Sequence, residues 1–164
     1  MTPAIFGCSG PDLTADERAF FREADPAGYI LFKRNCVDPE QLRRLTDSLR
    51  DIHGRERLLV SIDQEGGRVA RLGPPEWRKW PAPAQFAELY EVAPASAIEA
   101  LRLNSEAMAT ELAAAGISVD YHAPCDVARP ETDNVIGDRA LGSEPMQVAA
   151  LGRAILEGMA AAGV

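Results

Sequence analysis

"RLLVSIDQEGGRVARL", Arg57 to Leu72, sets a nearly unbroken apolar run against a cluster of charge. Leu58, Leu59, Val60 and Ile62 lead into Asp63, Gln64 and Glu65, then Gly66 and Gly67, then Arg68 and Arg71. A short apolar run predicts a strand over Arg57–Asp63 buried on both faces, as in a parallel sheet. The charges then fall at its C-terminal tip. Gly66-Gly67 lets the backbone turn sharply there, or approach a ligand closely.

Strands and helices alternate on either side of this stretch. "AIFGC" and "GYILF" read as earlier strands and "GISVDYHAP" as a fourth. "LTADERAFFREA" reads as a helix with Thr14 as N-cap and Glu17 completing a capping box. "VDPEQLRRLTDSLRDIHG" reads as a second helix, capped by Asp38, opened by Pro39 and closed by Gly54, with Leu42, Leu45 and Leu49 on its buried face. Gly73 to Gln85 carries Pro74, Pro75, Pro81 and Pro83 and is expected to be irregular. A long helix from about Ala95 to Ala115 follows, with Leu101, Met108 and Leu112 among its apolar positions. A loop from Cys125 to Gly142 and a last helix capped by Ser143 complete the chain.

Four strand–helix units in series predict parallel strands with right-handed crossovers. Either an open doubly wound sheet or a (β/α)₈ barrel satisfies this. The barrel needs about 250 residues, and the chain has 164. Gly163 closes a helix and Val164 would open another strand, so residues 1–164 are expected to be the N-terminal half of something longer.

Both architectures bind ligands beyond the C-terminal strand ends. The second strand places Lys33, Arg34 and Asn35 there, and the third Asp63 to Arg71. The fourth places Asp120, His122, Asp126 and Arg129, then Asp138 and Arg139 further along the loop. Asp63 could hydrogen-bond a sugar diol or pair with Arg68 or Arg71. His53 sits at a helix C-terminus, where partial positive charge is favourable. His122 alternates with Asp120 and could be a core histidine; no third metal ligand is evident. Trp77 and Trp80 read as clamps for the Pro-rich loop, although aromatic faces also stack on sugar rings. Asp63, Glu65, Asp126 and Asp138 are the candidates for a glycosidic carboxylate pair, with their separation open.

The net charge of −8 and the absence of a basic patch argue against nucleic acid as a partner. No run approaches the roughly 18 apolar residues of a membrane span. Gly66-Gly67 fits no phosphate-cradling glycine motif. Cys8, Cys36 and Cys125 are too few and too widely spaced for a disulfide framework or a zinc site, so reduced thiols and a cytoplasmic location are expected.

"SIDQEGGRVARL" with "NVIGDRALGSEP" resembles the family 3 glycoside hydrolases, specifically the bacterial cytoplasmic β-N-acetylglucosaminidases of peptidoglycan recycling; "GYILFKRN" and "VDYHAPCDV" match the same pattern. The resemblance spans nearly the whole chain. It implies a (β/α)₈ barrel and a retaining mechanism without a cofactor. The substrate it implies is a terminal β-linked N-acetylglucosamine on muropeptide fragments carrying anhydro-N-acetylmuramic acid. By position, Asp63 matches the aspartate that hydrogen-bonds the sugar in the −1 subsite. Arg71 and Arg139 match substrate-binding arginines. The family's Lys-His pair, its histidine acid/base loop and its nucleophilic aspartate would all lie beyond Val164. The chain alone is therefore expected to be inactive. A non-catalytic sugar-binding half barrel that self-associates through open sheet edges, and a metal-using barrel enzyme, are the alternatives.

Overall fold

The computed structural model describes every residue except Ala123 and Thr132. Four parallel strands lie side by side in chain order: β1 (Thr2–Gly7), β2 (Pro26–Leu31), β3 (Leu59–Ile62) and β4 (Val119–Asp120). A doubly wound sheet reverses its order at a switch point. This sheet does not reverse, which is the order of a barrel.

α1 (Ala15–Ala24) starts with the expected capping box, the Thr14 hydroxyl accepting from the Glu17 amide at 3.1 Å and Glu17 accepting from the Thr14 amide at 3.0 Å. α2 (Pro39–His53) is capped by Asp38, whose carboxylate accepts from Gln41 N at 2.7 Å, and Gly54 ends it in the left-handed conformation. Leu42, Leu45 and Leu49 are buried as their spacing requires, each contributing about 2 kcal/mol of transfer free energy.

Three expectations are corrected. The region to Gln85 is not irregular throughout, because α3 runs Pro83–Val92 ahead of α4 (Pro94–Ala114). Pro83 opens a helix instead of interrupting one, since the first helical residue needs no amide donor. Second, α5 (Pro145–Ala161) is not capped by Ser143. Pro145 holds the preceding Glu144 extended, so Glu144 is the cap residue, without a side-chain bond. Third, β4 is far shorter than the Gly116–Pro124 expected, and Ala123 within that range lies outside the described residues. Only Val119 and Asp120 pair with β3, because β3 itself ends at Ile62.

β2 and β3 carry the centre of the core. Tyr29 meets Phe21 of α1 edge-on, with ring centroids 5.0 Å apart, and its hydroxyl lies 2.7 Å from His53 Nε2 of α2. His53 Nδ1 lies 3.3 Å from Asp25, which also pairs with Arg55 and the N-terminal amine. His53 is thus fastened by its side chain at the N-terminal end of the sheet. Trp77 and Trp80 are both buried in the core, and the Trp80 indole donates to Glu111 of α4 at 3.2 Å, which anchors the loop to that helix. All three cysteines are thiols; burial pushes Cys8 up to about 12 and Cys36 to about 11, which makes them unreactive. Among the described residues no helix is long and apolar enough to cross a membrane.

Candidate active site

The charged groups converge just beyond the C-terminal ends of β3 and β4. Arg71 donates to Asp63 at 2.9 Å, so the pairing left open in the sequence goes to Arg71. Both side chains are about a quarter exposed, at 25% and 26%. Arg71 Nε is buried with no hydrogen-bond partner.

Gly66 and Gly67 adopt φ of +87° and +56°, open to glycine and costly for other residues. The tight turn they make is closed by Glu65 N to Val69 O at 2.9 Å and Val69 N to Gly66 O at 3.2 Å. Gly67 N donates to Trp80 O at 3.0 Å, tying the turn to the Pro-rich segment. A side chain at Gly66 would collide with the Pro81 carbonyl. Gln64 is held internally, donating to Leu72 O at 3.0 Å and accepting from Arg71 N at 2.8 Å and Leu72 N at 3.0 Å.

The loop after β4 crosses to the same place. Arg139 grips Glu65 with two bonds of 2.8 Å, Nε to one carboxylate oxygen and Nη2 to the other. Arg68 donates to Asp138 at 2.6 Å and to the carbonyls of Asn134, Val135 and Ile136. Asp63, Glu65 and Asp138, three of the four candidate carboxylates, are therefore engaged by guanidinium groups. Asp126 is exposed.

Not every strand-tip residue joins this cluster. Asn35 is buried, donates to Cys8 O at 3.1 Å and Gly10 O at 2.7 Å, and accepts from Phe32 N at 2.9 Å. Arg34 donates to Cys8 O at 2.9 Å and lies over the Phe32 ring. These two fasten the segment after β1.

Asp120 accepts from Gln64 N at 2.9 Å, while its second oxygen is buried and unpartnered, as are both ring nitrogens of His122. Asp120 and His122 line a groove of about 350 Å³ between β4 and α5, closed by Ile155, Met159 and Val164. Burial, then the neighbouring Asp63 and Glu65, push the Asp120 carboxyl up to about 8; burial pulls His122 down to about 4. Asp120 stays protonated in the fold where the unfolded chain ionises, so its stabilisation fades as pH rises from 3.8 through about 8. His122 acts oppositely, its stabilisation fading as pH falls from 6.5 through about 4. Below pH 6.5 the two slopes oppose; above it Asp120 acts alone. Urea midpoints should therefore decline between pH 6.5 and 8. Asp120→Asn should flatten that decline, and an unchanged slope would exclude Asp120 as its source.

The sequence matches the Glycosyl hydrolase family 3 N terminal domain over residues 10–164. The chain belongs to this family. It is 38% identical to the beta-hexosaminidase of Alkalilimnicola ehrlichii over 164 residues, covering 100% of this chain and 46% of that protein. It is 35% identical to the beta-hexosaminidase of Xanthomonas campestris over 161 residues, 98% of this chain and 47% of the relative. The structure superposes on that of NagZ from Neisseria gonorrhoeae in complex with N-trifluoroacetyl-D-glucosamine with a TM-score of 0.91 at 29% identity. That match covers 98% of this chain and 47% of the other. The chain thus spans about half the length of these family 3 relatives. The high superposition assigns the four-stranded parallel sheet to the family's (β/α)₈ barrel and excludes the doubly wound alternative.

Proposed function

We propose that residues 1–164 are the first four βα units of a β-N-acetylhexosaminidase barrel, and that Asp63, Arg71 and Arg139 bind the terminal N-acetylglucosamine. The observation that carries this reading is the meeting of the Asp63–Arg71 and Glu65–Arg139 pairs beyond the strand ends. A carboxylate accepts from ring hydroxyls and a guanidinium donates to them, and both bonds are charge-assisted. Names of relatives such as beta-hexosaminidase support the same activity.

The finer reading follows the sequence resemblance. The substrate is a peptidoglycan fragment, an anhydro-muropeptide. The mechanism is retaining and cofactor-free, and the compartment is the cytoplasm. A retaining mechanism needs a nucleophile and an acid/base about 5 Å apart. By the family resemblance, both groups belong to residues after Val164 in a full-length protein. The full-length protein should release nitrophenol from a nitrophenyl N-acetyl-β-glucosaminide, with the β-anomer as first product by NMR. The 164-residue chain alone should show no turnover. Turnover by the chain alone would mean that the catalytic groups lie within it; inversion at the anomeric carbon would reject the retaining mechanism.

One observation favours a second reading, a self-associating half barrel without chemistry. β4 is paired on one side and the groove beside it holds unpartnered polar atoms. A mass that rises with concentration in light scattering would support it.

A further inference from the structure

Two ion pairs join the turn after β3 to the loop after β4, and they run in opposite senses. On the turn the carboxylate is Glu65 and the guanidinium Arg68; on the loop the guanidinium is Arg139 and the carboxylate Asp138. The left-handed glycines between Glu65 and Arg68 turn the backbone so that both side chains reach adjacent residues of the loop.

The two pairs are not equivalent. Arg68 and Asp138 are close to half exposed, at 47% and 43%. Glu65 is 2% exposed and both its oxygens go to Arg139. A buried carboxylate is costly unless paired, and an exposed pair contributes little. The planar fork also fixes the orientation of the guanidinium as well as its position. With Nε and Nη2 held by Glu65, and Nη1 3.4 Å from Val135 O, the remaining N–H groups of Arg139 are left for a ligand.

We propose that Glu65 is a positioning residue, whose buried carboxylate orients Arg139 towards the sugar while Arg68–Asp138 only draws the loop in. This rests on the sugar-binding reading of Arg139. Glu65 touches no substrate itself. Its effect on activity must pass through Arg139.

The test is a double-mutant cycle in the full-length enzyme, read as kcat/KM on the nitrophenyl substrate with thermal melting alongside. Glu65→Gln should lower kcat/KM roughly 10- to 100-fold, within the upper part of the coupling found between contacting residues. In an Arg139→Ala background the same change should cost nothing further. It should also raise the melting temperature of that background, because it removes a buried charge left unpaired. Arg68→Ala should leave kcat/KM within about threefold of wild type. Should Glu65→Gln fail to fold, Glu65→Asp keeps the charge and shortens the reach, and is read in the same two backgrounds. Equal losses with and without Arg139, or no loss at all, would overturn the proposal. A wild-type enzyme that hydrolyses no N-acetylglucosaminide would instead sink the functional reading beneath it.

Discussion

On the proposed role of Asp63 in binding the sugar, replacing it with alanine in the full-length protein should lower kcat/KM for an N-acetylglucosaminide by about a thousandfold, equivalent to roughly 4 kcal/mol of transition-state binding. The expected size follows from the chemistry of the pair. Asp63 is only partly covered and keeps lone pairs beyond the one given to Arg71. Hydrogen bonds to ring hydroxyls strengthen as the ring gains oxocarbenium character, so the loss falls on kcat as well as KM. Stability should change far less, because each partner is about a quarter exposed and solvent screens the pair. The check is steady-state kinetics with a urea melt on the same preparation. Activity close to wild type would remove Asp63 from the site; a collapse of folding would make it structural.

The second large effect is expected at Gly66. Gly66→Ala adds a methyl group at φ +87° and drives it into the Pro81 carbonyl, which sits on backbone that cannot rotate away. Left-handed strain and a backbone collision together should cost about 3 kcal/mol. Gly54→Ala is the control. Its φ of +59° imposes similar strain, but nothing lies within 4 Å of the added atom, so about 1 kcal/mol is expected there. Urea unfolding of both variants separates collision from strain. Equal midpoint shifts would mean that the Pro81 segment yields, and that the turn does not depend on close contact.

The parts of this fold legible in the sequence were those governed by local rules. The Thr14–Glu17 box, the Asp38 cap and the Leu42, Leu45, Leu49 stripe involve residues a few positions apart, and each forms as read. Proline was the misleading signal. Pro39 reads as a helix start, yet Pro83, with the same role, reads as a breaker because Pro74, Pro75 and Pro81 precede it. "PAQFAELYEV" contains no other interruption, and that was the available cue.

In the site, Asp63 and Arg71 lie on one strand tip, so their meeting was foreseeable as one of two pairings. Glu65 with Arg139 was not. The partners are 74 residues apart, and no local pattern fixes which carboxylate the loop arginine will find. The same holds for Asp120, whose contact with Gln64 N depends on how β4 settles beside β3.

The order of the sheet has a consequence for synthesis. Because β1, β2, β3 and β4 neighbour one another in the sequence in which they are translated, each new strand finds its partner already made. The ribosome delivers roughly 5–20 residues per second, slow enough for one βα unit to dock before the next emerges. Of the two unpaired edges one stays on β1, and the growing one, which would otherwise invite another copy, is always on the youngest strand. During translation that strand is the one nearest the ribosome, and the ribosome's bulk shields it from other nascent chains.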